Sequence, residues 1–324
     1  MRKPGEGSLR GEIEKNNQVY LMIGLLVLGL GSLLLVYFFS AQPRVGRNNV
    51  SGFLLSGFFS VSSGGLHYPS GIAVDENGRV YVTDSAHHRV VVFDQKGREL
   101  RSFGQYGSAS GQLDYPVGIA VRQGRIWVAE LGNARIQVFD QAGNSQGIAR
   151  LKTPQPFVPT ALCLDNQGNL YVVNKAKQEI ECFDAQGRLA WAFGGDQMTG
   201  VLSFPMGLAV KGNGQVLIAD SGNGRLLIYN PATGLVRIVD GGEQRWFSNP
   251  RGITVDEQGR VYVAEAMQNT VIVLDEKLQL SARLEVPEEL GGLLMPDGIA
   301  WARNRLLVID KGNNRVVQFI QQGG

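Results

Sequence analysis

One sequence pattern occurs six times in this 324-residue chain and constrains the fold more than any other feature. Each copy holds a short apolar run, a turn, an alternating run, a second turn and a third apolar run. The first copy reads PSGIAVDENGRVYVTDSAHHRVVVFD. The copies begin 43 to 47 residues apart, at Pro69, Pro116, Pro159, Pro205, Pro250 and Pro296. This is the spacing of four-stranded propeller blades, so the pattern predicts an all-β, six-bladed β-propeller with four-stranded antiparallel blades.

The two ends of the repeat region predict how the ring closes. The sixth copy ends at Ile320, and only four residues follow it, so it lacks a fourth strand. Upstream of the first copy, Gly52 to Ser60 reads GFLLSGFFS, a strand without a blade of its own. We expect this segment to supply the outer strand of the last blade, because closure removes exposed strand edges.

The six copies resemble the NHL-repeat family of β-propellers over residues 52–320. The shared pattern is P-x-G-[IL]-A-V, then G-x-[VIL]-[YWL]-[VI]-A-[DE]-x-x-N-x-R-[VIL]. The third copy departs from it, with Ala161 for the glycine and Asn174 for the acid, and the fifth has Thr270 for the arginine. The resemblance implies a rigid disc whose members include binding proteins and metal-dependent lyases.

A hydrophobic segment precedes the repeats. Residues 19–39 hold 21 residues without a charge, enough for a helix of about 31 Å that crosses a bilayer. We interpret it as an uncleaved signal anchor, with a short tail at 1–18, a linker at 40–50 and the propeller at 51–320. Four Lys or Arg residues flank it on the N-terminal side and two on the other. This bias predicts a single-pass protein of the cell membrane with a cytoplasmic N-terminus and an extracytoplasmic propeller.

The charge balance argues against nucleic acid as a partner. From residue 50 onward the chain has 25 Lys and Arg against 26 Asp and Glu. Nucleic-acid binders concentrate a basic excess on one face, as the NHL propellers that bind RNA do. We therefore expect no nucleic-acid partner.

The two cysteines are expected to remain free. Cys163 falls on the first strand of the third blade and Cys182 on its third strand. With a strand between them, their Cα atoms are about 10 Å apart, too far for a disulfide.

An acidic position ends the second strand of most copies. A ring of carboxylates there suggests cation binding, but a residue repeated in nearly every blade is better explained by structure. We expect each side chain to bind backbone N–H groups of its own turn, together with the following Asn and Arg. The series is Asp84, Glu130, Asn174, Asp220, Glu265 and Asp310.

An enzyme is the alternative hypothesis. Propeller lactonases and the amidating lyases of the NHL family hold a metal in the central channel. The three histidines, His67, His87 and His88, all belong to the first blade or the loop that leads into it. A catalytic zinc site needs about three converging ligands. His67 and one of the pair could approach each other, but no third ligand is evident. Of the residues expected at the channel, only Asp297 is acidic, which makes a poor calcium cage. We predict no cofactor, metal or catalytic residue, and keep a membrane-tethered metal-dependent hydrolase or lyase as the alternative. The channel positions are Ser70, Val117, Thr160, Met206, Arg251 and Asp297.

Binding is the favoured function. If the strands of a blade are named a to d in chain order, the d-to-a and b-to-c loops share one face, the top face. Exposed aromatic and arginine side chains are typical interface anchors. For Trp246 and Phe247, the other interpretation is that they plug their own loop. The sequence predicts a binding platform for a protein, peptide or glycan, acting as scaffold, assembly factor or sensor. The candidate binding residues are His87, His88, Tyr106, Phe157, Lys175, Arg245, Trp246, Phe247 and Arg251.

Overall fold

The computed structural model describes residues 52–59, 61, 64–195 and 202–322. The predicted tail, membrane span and linker at 1–50 lie outside these residues. Within the described ranges, no helix has both the length and the apolar character needed to cross a membrane.

The described residues form six four-stranded antiparallel sheets, as the repeats predict. In five of the sheets the strands follow chain order, from strand a at the central channel to strand d at the outer edge. Blade 1 holds β2 to β5, blade 2 β6 to β9, blade 3 β10 to β13, blade 4 β14 to β17 and blade 5 β18 to β21. The strands are β1 Phe53–Phe59, β2 Pro69–Val74, β3 Val80–Asp84, β4 Arg89–Phe93, β5 Glu99–Phe103, β6 Pro116–Arg122, β7 Arg125–Glu130, β8 Arg135–Asp140, β9 Ser145–Ile148, β10 Pro159–Leu164, β11 Leu170–Asn174, β12 Glu179–Phe183, β13 Leu189–Gly194, β14 Pro205–Val210, β15 Val216–Asp220, β16 Arg225–Asn230, β17 Leu235–Val239, β18 Pro250–Val255, β19 Val261–Glu265, β20 Thr270–Leu274, β21 Leu280–Leu284, β22 Pro296–Ala302, β23 Arg305–Asp310 and β24 Arg315–Gln321.

The last blade is closed by the N-terminal strand. Its order is β1-β24-β23-β22, so β1 supplies strand d and the predicted closure is confirmed. The pairing runs from Phe53 opposite Gln321 to Phe59 opposite Val316. Both ends of the repeat region are thereby held in one sheet.

Glycines let the inner strands converge on the channel. A Cβ on Gly207 would collide with the carbonyl oxygen of Arg251, and a Cβ on Gly298 with that of Ser70. Each glycine thus admits the backbone of the next blade, because protein interiors are close-packed. Ala161 stands at this position in blade 3.

The two cysteines lie in blade 3 as predicted. Cys163 on β10 and Cys182 on β12 both sit opposite Tyr171 of the strand between them. Both are free thiols.

Candidate functional site

The repeated acids have a structural role, and they act between segments rather than within one turn. Asp310 is fully buried. One of its oxygens accepts from the backbone N–H of Leu294 at 2.7 Å. The other accepts from Arg315 Nε at 2.6 Å and Asn313 Nδ2 at 2.9 Å. The bound N–H belongs to the loop that enters the blade, whereas the sequence suggested the acid's own turn. Equivalent bonds hold Asp84, Glu130 and Asp220, with His87 replacing the asparagine at Asp84.

Blade 3 keeps a buried carboxylate although its sequence departs from the repeat. Asn174 accepts from the Val158 N–H at 3.1 Å and donates to Glu181 at 2.9 Å. Glu181 is buried on β12 and pairs with Lys177 at 3.2 Å. The negative charge has therefore moved from strand b to strand c.

Blade 5 has a buried carboxylate without the repeat arginine. Glu265 is fully buried and accepts from the N–H groups of Ser248 and Asn249 at 3.1 and 2.8 Å. Thr270 stands where four of the other blades have arginine. Burial raises the pKa of Glu265 above its usual value, although the backbone N–H groups act in the opposite direction.

A side-chain clasp joins neighbouring blades along the top face. In four blades, the last residue of the b-to-c turn accepts a hydrogen bond from the backbone N–H of the residue before the next repeat proline. His88 Nδ1 accepts from Tyr115 at 3.0 Å, for example. The other pairs are Gln178 with Phe204 at 3.0 Å, Asn269 with Met295 at 2.9 Å and Asn314 with Tyr68 at 2.9 Å.

The clasps coincide with an uncommon backbone conformation. Tyr115 and Phe204 have φ of 50° and 45°, in the left-handed region that bulky residues rarely adopt; Tyr68 and Met295 share it. The two blades without an acceptor have Ala134 and Gly224 at the turn position. The residues before the next repeat proline, Val158 and Asn249, are absent from the left-handed set. Their N–H groups donate instead to Asn174 and Glu265, the residues at the acid position of their own blades.

Large apolar side chains are exposed on the loops of the top face. Phe204 is 61% exposed and Tyr106 69% exposed, although both are aromatic. Of the large hydrophobic side chains that are exposed in the described ranges, six lie on top-face loops. They are Tyr68, Tyr106, Phe204, Met267, Leu294 and Met295. The top face therefore displays several large apolar side chains, a feature that marks interaction sites when such side chains cluster.

The central channel is divided by aliphatic side chains. One residue from strand a of each blade lines both an upper cavity of about 220 Å³ and a lower cavity of about 440 Å³. These six side chains form the floor of the upper cavity, which opens on the top face. They are Ile72, Ile119, Leu162, Leu208, Ile253 and Ile299.

The upper cavity carries more positive than negative charge. Lys175, Lys311 and Asp297 line it. Lys311 Nζ lies 2.6 Å from Asp297 Oδ2, and Arg251 Nη1 lies 3.7 Å from the same oxygen. Ser70 also donates to that oxygen, at 3.0 Å. Two cations thus share one carboxylate, and Lys175 stands apart from them.

The structure brings part of the predicted binding set together on the top face. Lys175 lines the upper cavity, and Tyr106 packs on His88 with ring centroids 4.8 Å apart. His87 bonds Asp84 at 2.9 Å. Arg251 reaches the cavity through Asp297, and Arg245 is exposed on its loop.

Three predicted aromatics are drawn into the protein instead. Phe157 and Phe247 are buried in the core. Trp246 is half-buried against the same core cluster as Phe247, and its indole N–H donates to Gln244 at 2.9 Å. Their rings are thus largely or wholly removed from the surface, so they fit the interpretation that these loops plug themselves.

Sequence reasoning missed five exposed residues, the four discussed next and Leu294, although a signal was present. Tyr68, Phe204 and Met295 each precede a repeat proline, and Met267 lies in a b-to-c turn. Large apolar residues recur before the proline, at the point where the chain turns inward. That recurrence marks the rim of the channel.

The described residues contain no group of three or more His, Cys, Asp or Glu side chains placed to hold a metal ion. Gly143 to Gly147 matches the G-x-S-x-G spacing of a nucleophile elbow. Its Ser145 follows a hairpin turn and donates to Gln137 at 2.7 Å, whereas an elbow joins a strand to a helix.

Residues 66–93 and 113–139 match the NHL repeat. These two segments are NHL repeats. The six sheets show a six-bladed β-propeller, and two of its repeats match the NHL repeat. The chain is also 33% identical to protein brain tumor of Drosophila melanogaster over 43% of its own length. That match spans 13% of the fly protein.

Similar solved structures include an enzyme and a protein complex. A streptogramin B lyase matches with a TM-score of 0.59 and 16% identity, covering 82% of this chain and 97% of the lyase. A chain in a nidogen/laminin complex matches with a TM-score of 0.56 and 22% identity. The match covers 69% of this chain and 82% of the chain in the complex. These likenesses show the fold alone, because function depends on the site that each propeller carries.

Proposed function

We propose that this chain is a membrane-anchored binding platform whose extracytoplasmic propeller presents its top face to a protein, peptide or glycan partner. The observation that carries the proposal is the set of six exposed apolar side chains on the top-face loops, the face on which the upper cavity opens. Exposed apolar groups near a few polar ones are what recognition sites require.

The clasps support this proposal. Four of them fix the backbone before a repeat proline, and three of the fixed residues, Tyr68, Phe204 and Met295, are among the exposed apolar set. A pre-organised backbone loses little conformational freedom when a partner binds. The face is therefore suited to binding.

Site-specific cross-linking tests the proposal. A photoreactive phenylalanine analogue replaces Phe204 in the full chain in native membranes, and the same analogue replaces Ile238 as a control. Ile238 is 51% exposed but lies on the outer strand β17. We expect a discrete cross-linked species from position 204 alone. Equal patterns at both positions, or none at 204, would contradict a top-face partner.

Two further measurements test the remaining parts. External protease should reach the propeller in intact cells, and complete protection would overturn the proposed topology. Metal analysis of the purified full chain addresses the alternative of a metal-dependent hydrolase or lyase. A stoichiometric metal, with loss of folding or activity on chelation, would favour that alternative.

A further inference from the structure

Two lysines occupy the same repeat position on opposite sides of the ring. Lys175 follows Asn174 at the end of β11 in blade 3, and Lys311 follows Asp310 at the end of β23 in blade 6. Blades 3 and 6 face each other across a six-bladed ring. Both lysines line the upper cavity.

In blade 6 the lysine has a counter-ion from its own blade. Asp297 follows the repeat proline Pro296, which pairs with Asp310 in the sheet. Lys311 Nζ lies 2.6 Å from Asp297 Oδ2. The hydroxyl of Ser70 donates to that oxygen at 3.0 Å. A lysine and a hydroxyl thus hold one carboxylate.

In blade 3 the lysine and a hydroxyl are present but the carboxylate is missing. Thr160 follows Pro159, which pairs with Asn174, so Thr160 takes the position of Asp297. Thr160 is among the residues that line the upper cavity, and its hydroxyl oxygen is buried without a hydrogen-bond partner. Among the residues that the structure describes, Lys175 Nζ has no ion pair. An unpaired buried hydroxyl costs free energy that a ligand can recover.

The surroundings of this pair are apolar. Val117, Leu131 and Met206 line the same cavity. The cavity opens on the top face, whose loops carry exposed apolar side chains such as Phe204.

We propose that Lys175 and Thr160 receive an aspartate or glutamate side chain of a partner polypeptide, which takes the place that Asp297 holds beside Lys311. The inference rests on the proposed function. The partner residue is flanked by apolar residues, because these contact the exposed ring while the carboxylate enters the cavity. Its carboxylate accepts from the Lys175 ammonium and the Thr160 hydroxyl.

Peptide selection tests this inference with the full chain in detergent. A random heptapeptide library displayed on phage is selected against the wild-type chain and the variants Lys175→Gln, Thr160→Asp and Lys277→Gln. Thr160→Asp installs in blade 3 the acid that blade 6 already has. Lys175→Gln changes an exposed residue and leaves folding intact. Lys277→Gln is the matched control, since Lys277 is exposed in the c-to-d turn on the opposite face.

The wild type and Lys277→Gln should enrich peptides with an acidic residue beside apolar residues, and the other two variants should lose that preference. The selected peptide is then synthesised with its acid replaced by the amide isostere. We expect affinity to fall roughly tenfold or more, as for loss of one charge-assisted hydrogen bond. An acidic preference that survives in Lys175→Gln and Thr160→Asp, or no enrichment at all, overturns the inference. The inference is also overturned if the amide peptide with a free C-terminal carboxylate, or acetate alone, binds as tightly as the acidic peptide.

Failure here is distinguishable from failure of the proposed function. If the cross-link at position 204 persists in Thr160→Asp, the platform stands and the carboxylate site falls. If selection succeeds while position 204 gives no cross-link, the site stands and the proposed partner geometry falls.

Discussion

The imidazole Nδ1 of His88 accepts a hydrogen bond from the backbone N–H of Tyr115, 3.0 Å away across the boundary between blades 1 and 2. The N–H is held in a left-handed backbone, with φ of 50° at Tyr115. The same side chain packs against the exposed ring of Tyr106. His88 therefore fixes both the blade boundary and part of the top face.

Replacing His88 tests this clasp. His88→Ala leaves the Tyr115 N–H without its acceptor, so the free energy of unfolding should fall by about 1 kcal/mol. His88→Asn should retain most of the unfolding free energy, because Asn269 and Asn314 accept the equivalent hydrogen bond in blades 5 and 6. Denaturant unfolding of the three proteins measures the effect. An equal loss of unfolding free energy in both variants would show that the hydrogen-bond acceptor at position 88 does not stabilise the fold.

Glu265 should make stability depend on pH. Burial raises its folded-state pKa above the usual 4.5, so the folded protein keeps a proton that the unfolded chain has released. Its contribution to stability is present below pH 4.5 and is lost as the pH rises through the folded pKa. Above pH 4.5 the unfolding free energy of the wild type should therefore fall relative to that of Glu265→Gln. Denaturant titrations from pH 4 to 8 measure it, with the exposed Glu276→Gln as control. A difference that stays constant or grows in favour of the wild type would refute the prediction.

The closing strand should be essential to stability. Phe59 on β1 is buried and packs on Phe93, with ring centroids 5.8 Å apart. Phe59→Ala should cost about 3–5 kcal/mol of unfolding free energy. Phe204→Ala is the matched control, and it should change stability by less than about 0.5 kcal/mol because its ring is exposed. Similar thermal midpoints for the two variants would argue against closure by β1.

The cysteines should be unreactive in the folded protein. Burial raises the pKa of Cys182 to about 11 and also raises that of Cys163. Because the thiolate is the nucleophile, iodoacetamide at pH 8 should label neither until the protein unfolds. Mass spectrometry of native and denatured samples reads this directly. Rapid labelling of the native protein would place a thiol at the surface.

Much of the fold was predictable because it is encoded locally and repeated. The strand runs, the hairpin turns and the segment from Gly52 to Ser60 each carry their own signal, and β1 at Phe53–Phe59 confirms the closure. The site was less predictable. Phe157 and Phe247 lie in loops as aromatic as those of Tyr106, yet they are buried while Tyr106 is exposed. The direction of a loop side chain depends on the neighbouring blade, which no local pattern describes.

The sequence by itself determined a six-bladed propeller, its closure and the structural use of the repeated acids, because each blade repeats one set of local preferences. Only the tertiary structure decided which residues reach the top face. It brought Lys175 and Thr160 into one cavity with Lys311 and Asp297, although blades 3 and 6 are more than 100 residues apart in the chain. The physical reason is ring closure. Distant copies of one pattern become neighbours around a channel, and a difference between two copies becomes an unpaired charge.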